Sequence, residues 1–155
     1  MPHHTFPLRL AALSLFVILS QSGSTPLAAE EQWSRFRGPN GSGVSEATTV
    51  PAVWDADDYN WKLELPGLGH ASPVVWDQRI FVLTSGEYSG ARRLACVMAG
   101  DGKIAWQREF PAELHRKHKV NSFATSTPAA DEDRVYVAWA DGSRIVMKAL
   151  KHDGS

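Results

Sequence analysis

Residues Gly67 to Phe110 read GLGHASPVVWDQRIFVLTSGEYSGARRLACVMAGDGKIAWQREF and carry the clearest structural pattern in the chain. Short apolar runs alternate with turn-forming residues, and the Asp101–Gly102 pair favours a tight hairpin because Gly adopts a positive φ without strain. Four antiparallel strands in about 40 residues form one blade-sized sheet. The strands are expected at Ser72–Trp76, Arg79–Ser85, Arg92–Ala99 and Lys103–Phe110.

The same pattern begins again further along the chain. A repeat that keeps its strand pattern and turn chemistry while one loop changes length indicates a repeating β architecture. The aligned segments are Ser72–Val75 with Thr127–Ala130 and Asp77–Val82 with Glu132–Val137, both 55 residues apart (127 − 72 and 132 − 77), and Asp101–Gly102 with Asp153–Gly154, 52 residues apart (153 − 101).

The composition narrows the possible functions. A chain of 155 residues is expected to form one domain, and 43% hydrophobic with 21% charged residues is an ordinary globular balance. The net charge of −1 gives no reason to expect a nucleic-acid partner or an anionic membrane surface. Cys96 is the only cysteine in the sequence, which rules out an intrachain disulfide and the Cys-rich zinc sites.

Residues 1–29 are interpreted as a secretory signal peptide. Leu10 to Leu19 is an apolar core of ten residues, too short to span a membrane, and Leu27-Ala28-Ala29 favours cleavage after Ala29. The alternative is an uncleaved anchor. We therefore expect an exported protein, periplasmic or extracellular, with no membrane anchor after cleavage.

Residues 30–59 are predicted to form an extended N-terminal segment pinned by Trp33 and Phe36. The glycines at Gly38, Gly41 and Gly43 do not indicate a phosphate loop, because no strand precedes them and no helix follows. Three aspartates between 55 and 58 lack the Gly and the distal Glu of a calcium loop, so a solvated turn is the better interpretation.

Residues 60–155 are predicted to form a partial propeller. It comprises a strand at 60–65 (NWKLEL), a complete blade at 70–110 and a second blade at 123–155 that lacks its fourth strand. Trp61 is expected to end a sheet whose other strands lie elsewhere. We therefore expect either the N-terminal part of a longer protein or a truncated reading frame. The basic run His115 to Lys119 favours a solvated face over an anion site.

Two segments resemble the pyrroloquinoline-quinone-like (PQQ-like) β-propeller repeat family, of the bacterial secreted type. They are Ala99 to Trp106 (AGDGKIAW) and Met147 to Gly154 (MKALKHDG), and the opening Trp33 to Gly41 is similar to that of secreted members. The resemblance implies four-stranded blades in which Trp61 and Trp106 dock on the neighbouring blade. Met98-Ala99 stands where the family signature prefers Leu-Asp.

In such a propeller the loops that lead into the first strand of each blade lie at one mouth of the channel. Leu68 to Ser72 and Phe123 to Thr127 are those loops, at the same spacing of 55 (123 − 68). The resemblance therefore implies a site for a protein or small-molecule ligand there. The alternative is that these side chains only satisfy neighbouring backbone groups. The candidate residues are His70, Ser72, Asn121 and Thr125.

The family includes enzymes and non-catalytic propellers, such as the scaffold lipoprotein of outer-membrane barrel assembly, so fold alone does not fix activity. We expect an exported binding or assembly scaffold with no catalytic residue, metal site or cofactor of its own. One alternative is a PQQ-dependent alcohol or sugar oxidoreductase with calcium-bound PQQ. Such quinoproteins typically carry a vicinal disulfide, and Cys96 is alone. The other alternative is a non-functional truncated frame.

Overall fold

The computed structural model describes residues 32–155, and every regular element in that range is a β-strand. The strands form two separate antiparallel sheets, so the predicted all-β class with blade-like sheets is confirmed. The proposed signal peptide at residues 1–29 lies outside the described residues. The strands are β1 Val74–Trp76, β2 Arg79–Ser85, β3 Arg92–Met98, β4 Ile104–Phe110, β5 Ala129–Ala130, β6 Arg134–Asp141 and β7 Arg144–Lys151.

The first sheet has the simple order β1-β2-β3-β4, as successive hairpins require. Its bounds agree with the predicted strands to within two residues at each end. The β3–β4 ladder shifts register between Cys96 and Val97, because Trp106 lies opposite Cys96 while Ile104 lies opposite Val97. The extra residue is Ala105, which makes a bulge directly before Trp106.

The second sheet has the order β5-β6-β7 and repeats the first three strands. β6 begins 55 residues after β2 (134 − 79), which is the spacing found in the sequence. Buried and half-buried positions alternate along β6 from Val135 to Asp141, as the period of two of a strand requires. The β6–β7 ladder runs without interruption from Arg134–Lys151 to Asp141–Arg144.

The core lies between the two sheets and draws on both. Side chains from the first sheet meet those of the second across one continuous apolar cluster, so each sheet buries the face that the other needs covered. Trp106 and Phe110 pack against this cluster from β4. The buried members are Val74, Phe81, Leu83, Leu94 and Cys96 from the first sheet, Ala130, Val135, Val137, Trp139 and Leu150 from the second, and Ala124 from the loop before β5.

The N-terminal segment crosses the first strands of both sheets. The Trp33 carbonyl accepts a hydrogen bond from Val75 N at 2.8 Å, and the Ser34 carbonyl accepts one from Ala130 N at 2.8 Å. These bonds satisfy edge groups of β1 and β5 and tie the two sheets together. Phe36 plays no such part, since its side chain is 57% exposed, so its predicted pinning role was wrong.

The strand predicted at residues 60–65 does not form. The chain there has no regular secondary structure, because no other described strand runs beside it and a strand needs a hydrogen-bonding neighbour. Trp61 still has a defined place. Its indole Nε1 donates to the Ala99 carbonyl at 2.8 Å, and its ring covers Gly102 in the β3–β4 turn.

Trp106 repeats this contact one unit later. Its indole Nε1 donates to the His152 carbonyl at 2.8 Å, and its ring covers Gly154 in the turn after β7. A Cβ at Gly154 would come within 2.8 Å of Trp106 Cδ2, closer than real Cβ contacts. The ring of one sheet therefore lies on the turn of the next.

Candidate functional site

The loops that lead into β1 and β5 lie side by side. The backbone N–H groups of His70 and Ala71 both donate to the Ala124 carbonyl, at 2.9 and 3.1 Å. Ser72 N donates to Thr127 Oγ1 at 3.1 Å, which joins two residues at equivalent positions of the repeat. The repeat thus brings its two lead-in loops into direct contact at one end of the sheets.

His70 is fixed by Ser122 in the second loop. Its Nδ1 accepts the Ser122 backbone N–H at 3.1 Å and lies 2.9 Å from Ser122 Oγ. Because Nδ1 acts as an acceptor, the neutral ring carries its proton on Nε2, an assignment made from the hydrogen-bond network. The His70 side chain is otherwise exposed, so the Nε2 edge is open to a ligand.

A cavity of about 190 Å³ lies beside His70, and we call it the His70 cavity. One carboxylate, Glu87, and two lysines line it, so its charge is mixed. Asn121 and Phe123 form part of its wall. The lining residues are Leu68, His70, Ser85, Glu87, Lys117, Lys119, Val120, Asn121, Ser122 and Phe123.

A second cavity of about 170 Å³ shares part of that wall, and we call it the Arg92 cavity. Lys117 and the Asn121–Phe123 stretch line both cavities, so the two are neighbours. No carboxylate lines this one among the described residues. The lining residues are Arg92, His115, Arg116, Lys117, His118, Asn121, Ser122, Phe123, Thr125, Ser126, Trp139 and Ala140.

Arg92 is fully buried at the start of β3, which is unusual for an arginine. Its guanidinium donates to the Gly90 carbonyl and, at 2.9 Å, to the Ala140 carbonyl in β6. Burial lowers the pKa of Arg92 from its ordinary value, and the nearby Asp141 carboxylate partly offsets this. The guanidinium therefore joins the two sheets beside the cavity.

Three of the four predicted ligand residues line these cavities. His70 lines the first, Thr125 the second and Asn121 both. Ser72 lines neither, and its described contact is the backbone bond to Thr127. The repeat spacing indicates that the two loops lie together, but it does not determine which of their side chains line the two cavities.

Sequence reasoning missed Arg92, Ser122 and Trp139. Arg92 and Arg93 stand together at the start of a predicted strand, where the period of two places one of them inward, so a buried arginine could have been suspected. Trp139 follows the alternation of β6 and is 4% exposed. Their convergence depends on contacts between residues almost 50 positions apart, such as Arg92 with Ala140.

The residues described do not supply the groups that a calcium-bound quinone would need. Within residues 32–155, no group of three or more His, Cys, Asp or Glu could hold a metal ion. Cys96, the only cysteine of the sequence, is buried in the core, and burial raises the pKa of its thiol. These residues do not fit the cofactor. Residues 32–155 also contain no helix that could span a membrane.

The family model described as outer membrane protein assembly factor BamB matches residues 30–155, which is 126 of the 155 residues (155 − 29). No curated protein and no solved structure gave a significant match. The family match agrees with two successive blade-like sheets joined by the contact of Trp106 with Gly154. The chain therefore belongs to the PQQ-like repeat family described as outer membrane protein assembly factor BamB, and the resemblance seen in its turns is confirmed.

Proposed function

We propose that this chain is part of an exported β-propeller that acts as a binding and assembly scaffold, with a partner group held where the lead-in loops of successive repeats meet. The observation that carries this proposal is the pair of adjoining cavities beside His70 and Arg92. Repeat proteins commonly bind through the surface on which equivalent loops converge. The wall shared by the two cavities gives one partner access to both.

The family match supports a scaffold role, because its description names a factor in outer-membrane protein assembly. That description also supports export to the periplasm, in agreement with the secretory pattern of residues 1–29. The N-terminus of the exported protein is then expected near Glu30. Recovery of intact Met1 in a membrane fraction would contradict export with cleavage.

Site-specific photocrosslinking in cells tests the partner site. A photoreactive amino acid at Asn121, an exposed residue that lines both cavities, is expected to capture a defined partner. The matched control is Glu132, an exposed residue in the turn after β5, at the other end of that strand. The same products from both positions, or none from Asn121, would reject a partner site at the lead-in loops.

A second assay separates the scaffold from an oxidoreductase. Purified exported protein is given PQQ and calcium, and reduction of an artificial electron acceptor by alcohols or aldose sugars is followed. We expect no turnover above the protein-free control. Turnover that requires both additions would reject the scaffold as the sole function.

A further inference from the structure

We propose that the Arg92 cavity is an anion site, which takes a carboxylate or phosphate group of the partner or ligand. This inference rests on the proposed function, because it names the chemistry of the partner group that the scaffold holds. The site combines buried donors without acceptors, a surplus of positive charge and enough room for an oxyanion.

Two buried N–H donors at this cavity lack an acceptor among the described residues. They are Nε of Arg92, a residue with 0% exposure, and Nε1 of Trp139, which is 4% exposed. Nδ1 of the half-buried His115 also lacks a partner. Buried polar groups are almost always hydrogen-bonded, so each such group calls for an acceptor. All three residues line the same cavity, and one bound oxyanion offers several acceptor oxygens at once.

The charges around the cavity have one sign. Its lining includes Arg92, Arg116 and Lys117, and no described carboxylate faces them there. The Arg92 guanidinium lies 5.1 Å from the centre of the Phe123 ring, and Lys117 Nζ lies 5.3 Å from the same centre. Two cations held on one ring repel each other, and an anion between them relieves that repulsion.

The nearest buried carboxylate is already engaged. Asp141 Oδ1 accepts the Glu113 backbone N–H at 2.6 Å, and its Oδ2 accepts Arg144 at 3.1 Å. Asp141 offsets part of the Arg92 charge but lies outside the cavity lining. Glu87 lines only the neighbouring His70 cavity. A negative group from outside the chain is therefore the group that the Arg92 cavity lacks.

The size of the cavity suits such a group. Its volume of about 170 Å³ far exceeds the ~10–15 Å³ that a single water needs. Thr125 and Ser126 add hydroxyl groups to the lining, and both are exposed, so the cavity is reachable from solvent. These hydroxyls can donate to the same oxyanion.

The test follows the indole N–H resonance of Trp139 in the purified exported protein during titration with inorganic phosphate and, separately, with acetate. We expect a saturable shift of that resonance, which weakens as sodium chloride is raised because salt screens the attraction. Tighter binding of phosphate identifies a phosphate group as the natural one, and tighter binding of acetate identifies a carboxylate. No saturable shift with either anion at low salt would overturn the proposal.

Variants assign the binding to the cavity. Trp139→Phe keeps a ring against Phe110 but removes the donor, and Lys117→Ala removes an exposed cation, so both should fold. Followed through the Asn121 amide resonance, each is expected to weaken anion binding about tenfold or more, since hydrogen bonds to charged groups are strong. Unchanged affinity in both variants would overturn the assignment.

Controls separate this site from other surface charge and from the proposed function. Lys103→Ala removes an exposed lysine outside the cavity, and Trp54→Phe replaces an exposed indole elsewhere, so both should bind anions like the parent protein. If Lys103→Ala weakened anion binding as much as Lys117→Ala, the binding would be a nonspecific attraction to surface charge, and the proposal would be overturned. If the protein bound anions but gave no crosslink from Asn121, the scaffold function would be rejected and the anion site would be retained. A crosslink without anion binding would reject the anion site alone.

Discussion

β3 and β7 occupy equivalent places in their repeats, yet β3 is largely buried and β7 largely exposed. Their sequences, RRLACVM and RIVMKALK, are both rich in apolar residues. β4 pairs along the outer edge of β3, whereas no described strand pairs beyond β7. The burial of a strand is therefore set by its neighbours as much as by its own composition.

The two indole–glycine contacts, unlike the burial of β3 and β7, are the same in both sheets although their surroundings differ. Trp61 covers Gly102 in the first sheet, and Trp106 covers Gly154 in the second. The turns differ by one residue. Gly102 N donates to the Met98 carbonyl four residues back, and Gly154 N donates to the Lys151 carbonyl three residues back. The repeat thus preserves the contact and tolerates a change in the turn that carries it.

The largest effect is expected from removing the two indoles. Trp106→Ala should lower the free energy of unfolding by about 3 kcal/mol or more, because its ring packs on the core between the sheets. Trp61→Ala should lower it by about 1 to 2 kcal/mol, because that ring covers a turn and is not part of the core cluster. Urea unfolding followed by circular dichroism measures both.

The control for these variants is Trp54→Ala, whose side chain is 57% exposed and should change stability by about 0.5 kcal/mol or less. A loss below about 0.5 kcal/mol for Trp106→Ala would show that the indole does not dock the sheets, since docked large side chains cost far more. Equal losses at Trp61 and Trp106 would remove the distinction between the two contacts.

A somewhat smaller effect is expected from adding a methyl group under each indole. Gly102→Ala and Gly154→Ala should each cost about 1 to 3 kcal/mol, because both glycines have a positive φ and little room for a Cβ. Gly41→Ala is the matched control, with φ 73° and nothing within 4 Å of an added Cβ, so it isolates backbone strain. Chemical unfolding measures these costs. Equal losses of unfolding free energy in Gly154→Ala and Gly41→Ala would contradict the close contact of Gly154 with Trp106.

The exposure of β7 predicts self-association. Ile145 is 73% exposed and Met147 is 71% exposed on β7, whose outer side pairs with no described strand, and this favours pairing with another chain. Ile145→Thr with Met147→Lys removes apolar surface that association would bury. The double variant should therefore associate about tenfold or more weakly. Sedimentation velocity over a range of concentrations measures this. Ile104→Thr on β4, where exposure is only 40%, should have the smaller effect, and the reverse order would contradict the comparison.

The smallest effect concerns the two aspartates of the repeated turn. A side-chain hydrogen bond from Lys103 lowers the pKa of Asp101, and the Ser155 backbone N–H lowers the pKa of Asp153. A lowered folded-state pKa adds stability that is present above the unfolded pKa and is lost as pH falls through the folded pKa. Lys103→Ala should raise the pKa of Asp101 and leave that of Asp153 unchanged. Carboxyl ¹³C NMR titration checks this, and an unchanged Asp101 would be the contrary result.

The sequence predicted most of the fold because strand signals and turn residues act locally. β2 was predicted at its observed bounds, and the spacing of 55 placed β6 correctly. The failure at residues 60–65 has a clear cause. Alternation shows that a segment suits a half-buried strand, but it does not supply the neighbour that a strand needs. The bulge before Trp106 was also missed, because it depends on how β3 and β4 meet.

The candidate site was only partly predictable. The repeat indicated that the loops of His70 and Thr125 would lie together, and they do. Sequence reasoning favoured a solvated face for the basic run, yet four of its five members line the Arg92 cavity. The alternation at Arg92 and Arg93 indicates that one arginine points inward, but the position of Arg92 beside Trp139 could not be predicted, because it depends on packing between two sheets.

Trp61 lies on the glycine turn of the first sheet, and Trp106 of that sheet lies on the glycine turn of the second. Proton NMR tests these two contacts most directly. Aromatic ring currents should shift the Hα resonances of Gly102 and Gly154 upfield of those of Gly41 and Gly100, which have open space around them. Trp61→Leu should abolish the shift at Gly102 alone, and Trp106→Leu the shift at Gly154 alone. Hα resonances of Gly102 and Gly154 at the positions of the open glycines, or unaffected by these substitutions, would contradict the account.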